Sequence, residues 1–222
     1  MVKSSEAYWY RGKKNKMTVL KLNYGNEYEA EEIEFKFDDN AIAIDCGANV
    51  GEVTDLFLEA GFKKIYAFEP NIYAYNVLEE KFRNNPNVTC IPKGVSCSSK
   101  AGLTKLYLHE QASKDQVKFS TGCSTAADKN NVNENNFTVI EMVGISDFIK
   151  SLEEPVGLIK IDVEGTAADI LNDLLDSGLA YEVDRIFVET HEEKVPSSRE
   201  PMKLIRERIE KEGLEHIHLE WI

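Results

Sequence analysis

From residue 41 onward, apolar runs of strand length alternate with segments whose apolar residues recur at helical spacing. This alternation is typical of βαβ units, in which helices connect parallel strands and cover the sheet. The predicted strands are 41–46, 64–68, 88–91, 156–163 and 184–190. We therefore predict an α/β fold with a mostly parallel, doubly wound sheet and helices on both of its faces.

Helical stripes follow the first, second and fourth of these strands, and the most regular stripe begins at Ala167. Ser198 as a candidate N-cap and Gly213 as a candidate C-terminal residue indicate a last helix near 199–212, after which a final strand should follow. Between the third and fourth strands, the polar segment 111–136 has no sustained period, so we predict a long loop that acts as a lid or binding segment.

Ahead of the core, residues 17–22 and 33–37 alternate apolar and polar side chains around a turn at 23–26, which predicts a strand pair. We assign 1–38 to an N-terminal segment with this pair and 39–222 to the α/β domain, within one domain overall. The basic residues that precede the pair, from Arg11 to Lys16, form either a flap over a site or a solvated tail.

Composition excludes several classes of function. The 26 basic and 39 acidic residues give a net charge of −13, which repels phosphate backbones and disfavours a nucleic-acid partner. No run approaches the roughly 20 apolar residues that span a bilayer, so we expect a soluble, cytoplasmic protein without a membrane partner. The four cysteines lack a C-x-x-C pair and are predicted to be free thiols.

The first core strand ends in Asp45 and continues into a small-residue loop that contains Gly47 and Gly51. Such a loop above a helix N-terminus is suited to a nucleoside cofactor. The nicotinamide fingerprint requires two further glycines, but Asn49 and Glu52 occupy those positions. The pattern D-x-G-x-N-x-G instead fits a methyl-donor loop, in which the strand-end acid approaches the methionine portion and the glycines make room for the cofactor.

The second strand ends in Glu69, 22 residues after Gly47. A carboxylate at this position can accept hydrogen bonds from both ribose hydroxyls of a nucleoside. An ordinary charged strand end is the alternative interpretation of Glu69 taken alone. Asn71 follows Pro70 as a predicted helix N-cap that borders the ligand.

Three charged residues, Lys160, Asp162 and Glu164, alternate along the end of the fourth strand and so lie on one side of it. Because the carboxyl ends of parallel strands meet at one edge, Asp162 and Glu164 should face the same crevice as Asp45. The alternative is a local ion pair between Lys160 and these carboxylates.

The fifth strand brings Glu189 and His191 to the same edge. A histidine with a near-neutral pKa can take a proton from a hydroxyl as a methyl group arrives. Alternatively, Asp162, Glu189 and His191 hold a divalent ion that lowers the pKa of the hydroxyl. We favour metal-free general-base catalysis and assign no metal ligands.

Taken together, four stretches resemble the FkbM-type S-adenosylmethionine-dependent methyltransferases, in the right order over residues 38–192. They are Ile44–Gly51, Phe68–Pro70, Ile159–Gly165 and Val188–His191. The resemblance implies a Rossmann-like class I methyltransferase fold over 39–222. It also implies S-adenosylmethionine as cofactor, S-adenosylhomocysteine as product, and O-methylation of a hydroxyl on a sugar, glycan or natural product.

The resemblance also implies roles for individual residues. Together with the loop and strand-end reasoning, it assigns cofactor binding to Asp45, Gly47, Ala48, Asn49, Gly51, Glu69, Pro70, Asn71, Val95 and Asp162. The catalytic candidates are Glu164, Glu189 and His191. A turn at 94–96 should flank the adenine, and the small residues 120–124 resemble a loop that lies near the pocket in this family.

Two alternatives remain open. In the first alternative, the chain is a non-catalytic module or pseudoenzyme that binds the nucleoside cofactor without turnover. A nucleic-acid methyltransferase is a lesser alternative, because the chain has no Asn/Asp-Pro-Pro-Tyr stretch and no Pro-Cys nucleophile, and its net charge is strongly negative. The predicted partner is a small-molecule or glycan acceptor, whose identity the sequence does not encode, and the sequence carries no signal for oligomeric state.

Overall fold

A computed structural model describes residues 9–10, 16–22 and 30–219 of the 222-residue chain. The predicted turn at 23–26 and the basic residues at 11–14 lie outside the described residues. The described residues form twelve strands and five α-helices. In chain order they are β1 (Trp9–Tyr10), β2 (Lys16–Leu22), β3 (Ala30–Lys36), β4 (Ile42–Cys46), α1 (Glu52–Ala60), β5 (Ile65–Phe68), α2 (Ile72–Phe82), β6 (Val88–Ile91), β7 (Gly94–Ser96), β8 (Gly102–His109), β9 (Val132–Gly144), α3 (Ile145–Lys150), β10 (Val156–Ile161), α4 (Ala167–Asp176), β11 (Arg185–Val188), α5 (Arg199–Glu212) and β12 (Ile217–His218).

The central sheet has six strands in the order β12-β11-β10-β4-β5-β6, and all neighbouring pairs are parallel. The direction of winding reverses between β4 and β10, which opens a crevice at the carboxyl ends of these two strands. This topology confirms the predicted doubly wound, Rossmann-like α/β fold. The final strand after the last helix is present as β12.

Alternate residues of the central strands face two different hydrophobic clusters, as the two-residue period of a strand requires. Ile42 and Ile44 of β4 belong to a cluster that includes residues of α3, α4 and α5. Ala43, between them, belongs to a second cluster with Phe57 of α1. Leu78 of α2 contacts the same side of the sheet through β5. The helices therefore cover both faces, as predicted.

The residues predicted to bound the helices do so by different interactions. The side chain of Asn71 caps α2 by accepting a hydrogen bond from the Tyr73 amide at 3.0 Å. Helix α5 has the predicted bounds and ends at Gly213 in the left-handed conformation that glycine adopts without strain. Ser198 stands at the N-cap position of α5, but its hydroxyl donates to the Val195 carbonyl instead.

A second sheet, in the order β7-β9-β8, was not predicted. The predicted turn at 94–96 is strand β7, which pairs in parallel with the end of β9. The predicted loop at 111–136 is shorter than expected, because residues 132–136 begin β9. Most side chains in the first half of β9 are exposed, so this strand lacks the apolar alternation by which strands are found in a sequence.

The N-terminal strands form their own sheet. Strands β2 and β3 pair in antiparallel register, which confirms the predicted strand pair, and β1 adds a third strand beside β2. All four cysteines are free, as predicted. Among the described residues, no helix has the length and apolar character needed to cross a membrane.

Two neighbouring residues of α5 provide a matched test of this packing. Ile205 is 1% exposed within the cluster on the α3–α5 face, whereas Leu204 is 56% exposed. Ile205→Ala should lower the free energy of unfolding by about 2–5 kcal/mol, because it removes buried methyl groups and leaves a cavity. Leu204→Ala should change it by no more than about 0.5 kcal/mol. Urea unfolding of both variants measures the difference; similar losses would contradict the placement of α5.

Candidate active site

A cavity of about 730 Å³ opens at the carboxyl edge of the central sheet, within the size range typical of ligand sites. Ten of the thirteen residues that the sequence assigned to cofactor binding or catalysis line it. They are Gly47, Asn49, Glu69, Pro70, Asn71, Val95, Asp162, Glu164, Glu189 and His191. The structure thus brings the ends of β4, β5, β10 and β11 together around one space.

The other three assigned residues, Asp45, Ala48 and Gly51, lie behind the cavity wall. Asp45 is fully buried, and its Oδ2 accepts a hydrogen bond from the Thr54 hydroxyl at 2.7 Å. Ala48 belongs to the cluster beneath α2. A Cβ atom on Gly51 would lie 2.4 Å from the Phe82 ring. These residues shape the loop from inside the protein.

Gly47 also has a structural reason to be glycine. Its φ of +84° is in the left-handed region, and a Cβ atom there would lie 2.0 Å from the backbone carbonyl oxygen of Asp162. The loop after β4 therefore lies directly against the chain that leaves β10. The sequence pattern predicts that the glycines make room for a cofactor, whereas in the structure a Cβ atom on Gly47 or Gly51 would collide with protein atoms.

Lys160 connects these two segments from below. Its Nζ donates to the Gly47 carbonyl at 2.7 Å and lies 3.2 Å from Asp45 Oδ1 and 3.3 Å from Asp162 Oδ2. Burial alone would lower the pKa of the Lys160 ammonium, but the Asp162 and Asp45 carboxylates outweigh it and raise the pKa. The alternative that the sequence suggested is thus present for Asp162, whereas Glu164 pairs with Lys129 instead.

Glu69 is 6% exposed and organises the opposite side of the crevice. Its Oε2 accepts the Asn49 amide at 2.9 Å and its Oε1 accepts the Asn71 amide at 2.7 Å. Burial raises the pKa of the Glu69 carboxyl to about 7, although the two amide bonds oppose the shift. An ionised carboxylate has about four acceptor positions, so about two remain after these contacts.

His191 is the centre of a cluster of carboxylates. Its Nε2 lies 3.0 Å from Glu189 Oε1, 3.2 Å from Glu164 Oε1 and 3.6 Å from Asp162 Oδ1. Its other ring nitrogen, Nδ1, lies 3.2 Å from the Glu189 carbonyl oxygen. The backbone of His191 is left-handed, with a φ of +55°, which is uncommon outside glycine and is concentrated at functional sites.

The sequence suggested a near-neutral pKa for His191, but the charges of this cluster shift that pKa. Burial would lower the pKa of His191, but Glu164 and Glu189 outweigh it and raise the pKa to about 10. Burial likewise would raise the pKa of Glu189, but His191 outweighs it and lowers the pKa to about 2. Both groups are therefore ionised at neutral pH, because several carboxylates converge on one imidazole. This convergence is not visible in the linear sequence.

Residues 110–131, named here the cover segment, contribute part of the cavity lining. The Asn49 side-chain amide donates to Ser120 Oγ at 2.8 Å, and the Thr125 amide donates to the Glu164 carbonyl at 3.0 Å. The segment is thus bonded both to the loop after β4 and to the end of β10.

Lys129 of the cover segment is a site residue that sequence reasoning missed. It is 3% exposed; its Nζ lies 2.8 Å from Glu164 Oε1 and donates to the Gly122 carbonyl at 2.9 Å. Asn131 also lines the cavity. Neither residue carries a signal in the sequence, because the cover segment has no period and no recognisable motif.

Asp162, Glu189 and His191 also satisfy a geometric requirement for a metal site. One potential ligand atom from each residue lies within 4.8 Å of the other two. This trio is the one that the sequence analysis named as an alternative to metal-free catalysis.

Comparison with protein families gives one match. The model of the Methyltransferase FkbM domain matches residues 45–214, which is more than half of the chain and includes every residue assigned above to binding or catalysis. Comparison with curated proteins gives no match.

Gly47 and Gly178 have similar backbone conformations but different surroundings. Substituting each by alanine separates the cost of a left-handed backbone from the cost of a steric collision. Gly178 has a φ of +81°, and a Cβ atom there would meet nothing within 4 Å. Gly178→Ala should therefore cost only the left-handed penalty of about 1–2 kcal/mol. Gly47→Ala should cost a further ~1–3 kcal/mol, because the new methyl group collides with the Asp162 backbone. Chemical denaturation measures both losses; equal values would show that the loop after β4 is not held against β10.

Proposed function

Because the chain belongs to the FkbM family of methyltransferases, we propose that it transfers a methyl group from S-adenosylmethionine to a hydroxyl of a small molecule or glycan. The observation that supports this most directly is Glu69, a buried carboxylate after β5 that lines a cavity of sufficient size and has acceptor capacity left over.

The residues around the cavity fit the parts of such a cofactor. Glu69 would accept the ribose hydroxyls, as strand-end acids do in related nucleotide-binding folds. Val95 and Met142 supply apolar wall beside the position expected for the adenine. When bound, S-adenosylmethionine supplies a methyl group on a sulfonium centre, which is an electrophile. Asp45 supports binding indirectly in this proposal, because its carboxylate holds Lys160 and the loop after β4.

The acceptor end of the proposed site is the cluster of Glu164, Glu189 and His191. Methyl transfer forms a bond between the acceptor oxygen and the methyl carbon and breaks the carbon–sulfur bond, whose electrons remain on sulfur. The acceptor hydroxyl must lose its proton, and a carboxylate of the cluster would receive it, because the ionised His191 is already protonated. His191 would orient these carboxylates and the hydroxyl. The cover segment lines this space and would limit the access of water to it.

The cavity wall favours a polar, hydroxylated acceptor. Thr121, Thr125 and Asn131 of the cover segment line the cavity, and the stacked rings of His109 and Phe119 contribute a flat surface at a centroid distance of 4.9 Å. Hydroxyl and amide groups beside an aromatic face are suited to a sugar ring, which has polar edges and apolar faces. The net charge of −13 weighs against a nucleic-acid acceptor.

Glu69→Gln should weaken the binding of S-adenosylhomocysteine by about 10- to 100-fold, because hydrogen bonds to a charged group contribute about 1.5–3 kcal/mol. Isothermal titration calorimetry measures the change. Glu59→Gln, on an exposed residue of α1 outside the cavity, is the matched control and should leave the affinity unchanged. Equal affinities of the Glu69 variant and the control would remove Glu69 from the proposed site.

The pKa of Glu69, raised to about 7 by burial, predicts a pH dependence of the same binding. Ribose hydroxyls donate to the ionised carboxylate, so binding lowers this pKa and is favoured by loss of the proton. Affinity should therefore rise as the pH increases from about 6 to 8, and Glu69→Gln should flatten this part of the profile. A profile that is equally steep in the variant would assign the pH dependence to another group.

Methyl transfer should be detectable in a screen of glycans and small hydroxylated metabolites, by the release of S-adenosylhomocysteine. With an acceptor found, His191→Ala should slow turnover by about 10²–10⁴-fold while cofactor affinity is retained. Glu193→Ala, at an exposed position in the same loop, is the control and should keep full activity. Cofactor binding without turnover on any acceptor would favour the non-catalytic alternative.

A further inference from the structure

We propose that Asp162, Glu189 and His191 bind a divalent cation of the Mn²⁺ type, at the acceptor end of the cavity. The donor set combines carboxylate oxygens with one imidazole nitrogen, which suits a divalent ion of hard to intermediate character. The sequence alone favours metal-free catalysis, whereas the geometry of the folded cluster supports the metal-bound alternative.

The first reason is the spacing of the donor atoms. Three carboxylate oxygens converge on His191 Nε2 at 3.0, 3.2 and 3.6 Å, although one N–H group satisfies a single acceptor well. With metal–ligand bonds of about 2.1 Å, adjacent donors of an octahedral site lie about 3.0 Å apart. Among the proposed ligands, Glu189 Oε1 lies at this spacing from His191 Nε2, and Asp162 Oδ1, at 3.6 Å, lies within the roughly 4.2 Å expected between opposite donors.

The second reason is that the ligands are oriented by neighbouring groups, as metal ligands usually are. His191 Nδ1 lies beside the Glu189 carbonyl, so that Nε2 is directed toward the carboxylates. Lys160 contacts Oδ2 of Asp162 and leaves Oδ1 on the side of His191. Each of these two ligands thus has one atom fixed by the protein and one facing the centre of the cluster.

The third reason is charge. Asp45 pairs with Lys160 and Glu164 pairs with Lys129, so each of these buried pairs is neutral in sum. Asp162 and Glu189 then contribute two further negative charges to the cluster, against the single positive charge of the protonated His191. Lys194, the other cation near Glu189, is half exposed in its side chain and lies 3.4 Å away, so solvent screens its charge. A divalent ion bound at Nε2 in place of the imidazole proton would balance the two carboxylates.

An independent sign of a missing partner comes from Glu164. Its Oε2 is buried, and within the described part of the chain it has no hydrogen-bond partner. Buried carboxylate oxygens are normally satisfied, so an unpaired one beside three potential ligands points to a cation in the same space.

Binding of the ion does not depend on the reaction, whereas its role rests on the proposed function. If the chain methylates a hydroxyl, a divalent cation beside the acceptor would lower the pKa of that hydroxyl and stabilise its ionised form near neutral pH.

The test uses the full chain, stripped with a chelator and titrated with Mn²⁺ alone. Calorimetry should give one Mn²⁺ per chain, and pulsed electron paramagnetic resonance should show coupling to an imidazole nitrogen. Glu189→Gln should weaken Mn²⁺ binding by at least about 10-fold. His191→Gln should abolish the nitrogen coupling. Glu193→Gln, at an exposed position of the same loop, is the control for non-specific binding to an acidic surface and should match the unaltered chain.

Absence of Mn²⁺ binding by the unaltered chain, or binding that is equal in Glu189→Gln and the control, would overturn the metal site. The nitrogen coupling keeps the test decisive if one variant fails to fold, because the unaltered chain alone must show it. Calorimetry with S-adenosylhomocysteine on the chelated protein separates the two proposals. Cofactor binding without Mn²⁺ binding removes the metal and leaves the proposed function. Mn²⁺ binding with imidazole coupling but without cofactor binding supports the metal and removes the proposed function.

Discussion

The arrangement of the crevice depends on one buried ammonium group, that of Lys160. Its Nζ contacts the Gly47 carbonyl, Asp45 and Asp162, and so joins the loop after β4 to the end of β10. These are the two strands between which the winding of the sheet reverses. Removing the lysine would leave a fully buried Asp45 carboxylate without its cation, which typically costs about 3–5 kcal/mol. The fold supplies the crevice, and Lys160 fixes the relative position of its two sides.

This dependence divides the acidic strand ends into two groups. Asp45 lies below the loop, where its charge compensates Lys160 and its other oxygen binds Thr54. Glu69 also accepts protein amides, but it lines the cavity and keeps acceptor capacity for a ligand. In a sequence the two residues look alike, because both are acids at the end of an apolar strand. They differ only in the folded structure, where Asp45 forms an ion pair with Lys160 of the neighbouring strand and Glu69 does not.

The features that sequence reasoning found have a common physical origin. Apolar alternation predicts the central strands, and the carboxyl ends of parallel strands must meet. The sequence alone therefore places Asp162 and His191 at one edge. The β7-β9-β8 sheet was missed because the first half of β9 is mostly exposed and shows no alternation. The ionised state of His191 was missed because it depends on how many carboxylates converge on one ring, which spacing along the chain does not determine.

The cover segment connects this electrostatic arrangement to access to the cavity. Lys129, which the sequence did not distinguish from other lysines, provides the cation that pairs with Glu164, and Thr125 binds the Glu164 backbone. If the cover segment were displaced, the cluster around His191 would lose one positive charge and become more exposed to water. Both changes would weaken the fixed electrostatic environment on which acceptor chemistry depends, because preorganised charges act most strongly where water is excluded. The Lys129–Glu164 ion pair therefore links the position of the cover segment to the charge balance at this end of the cavity.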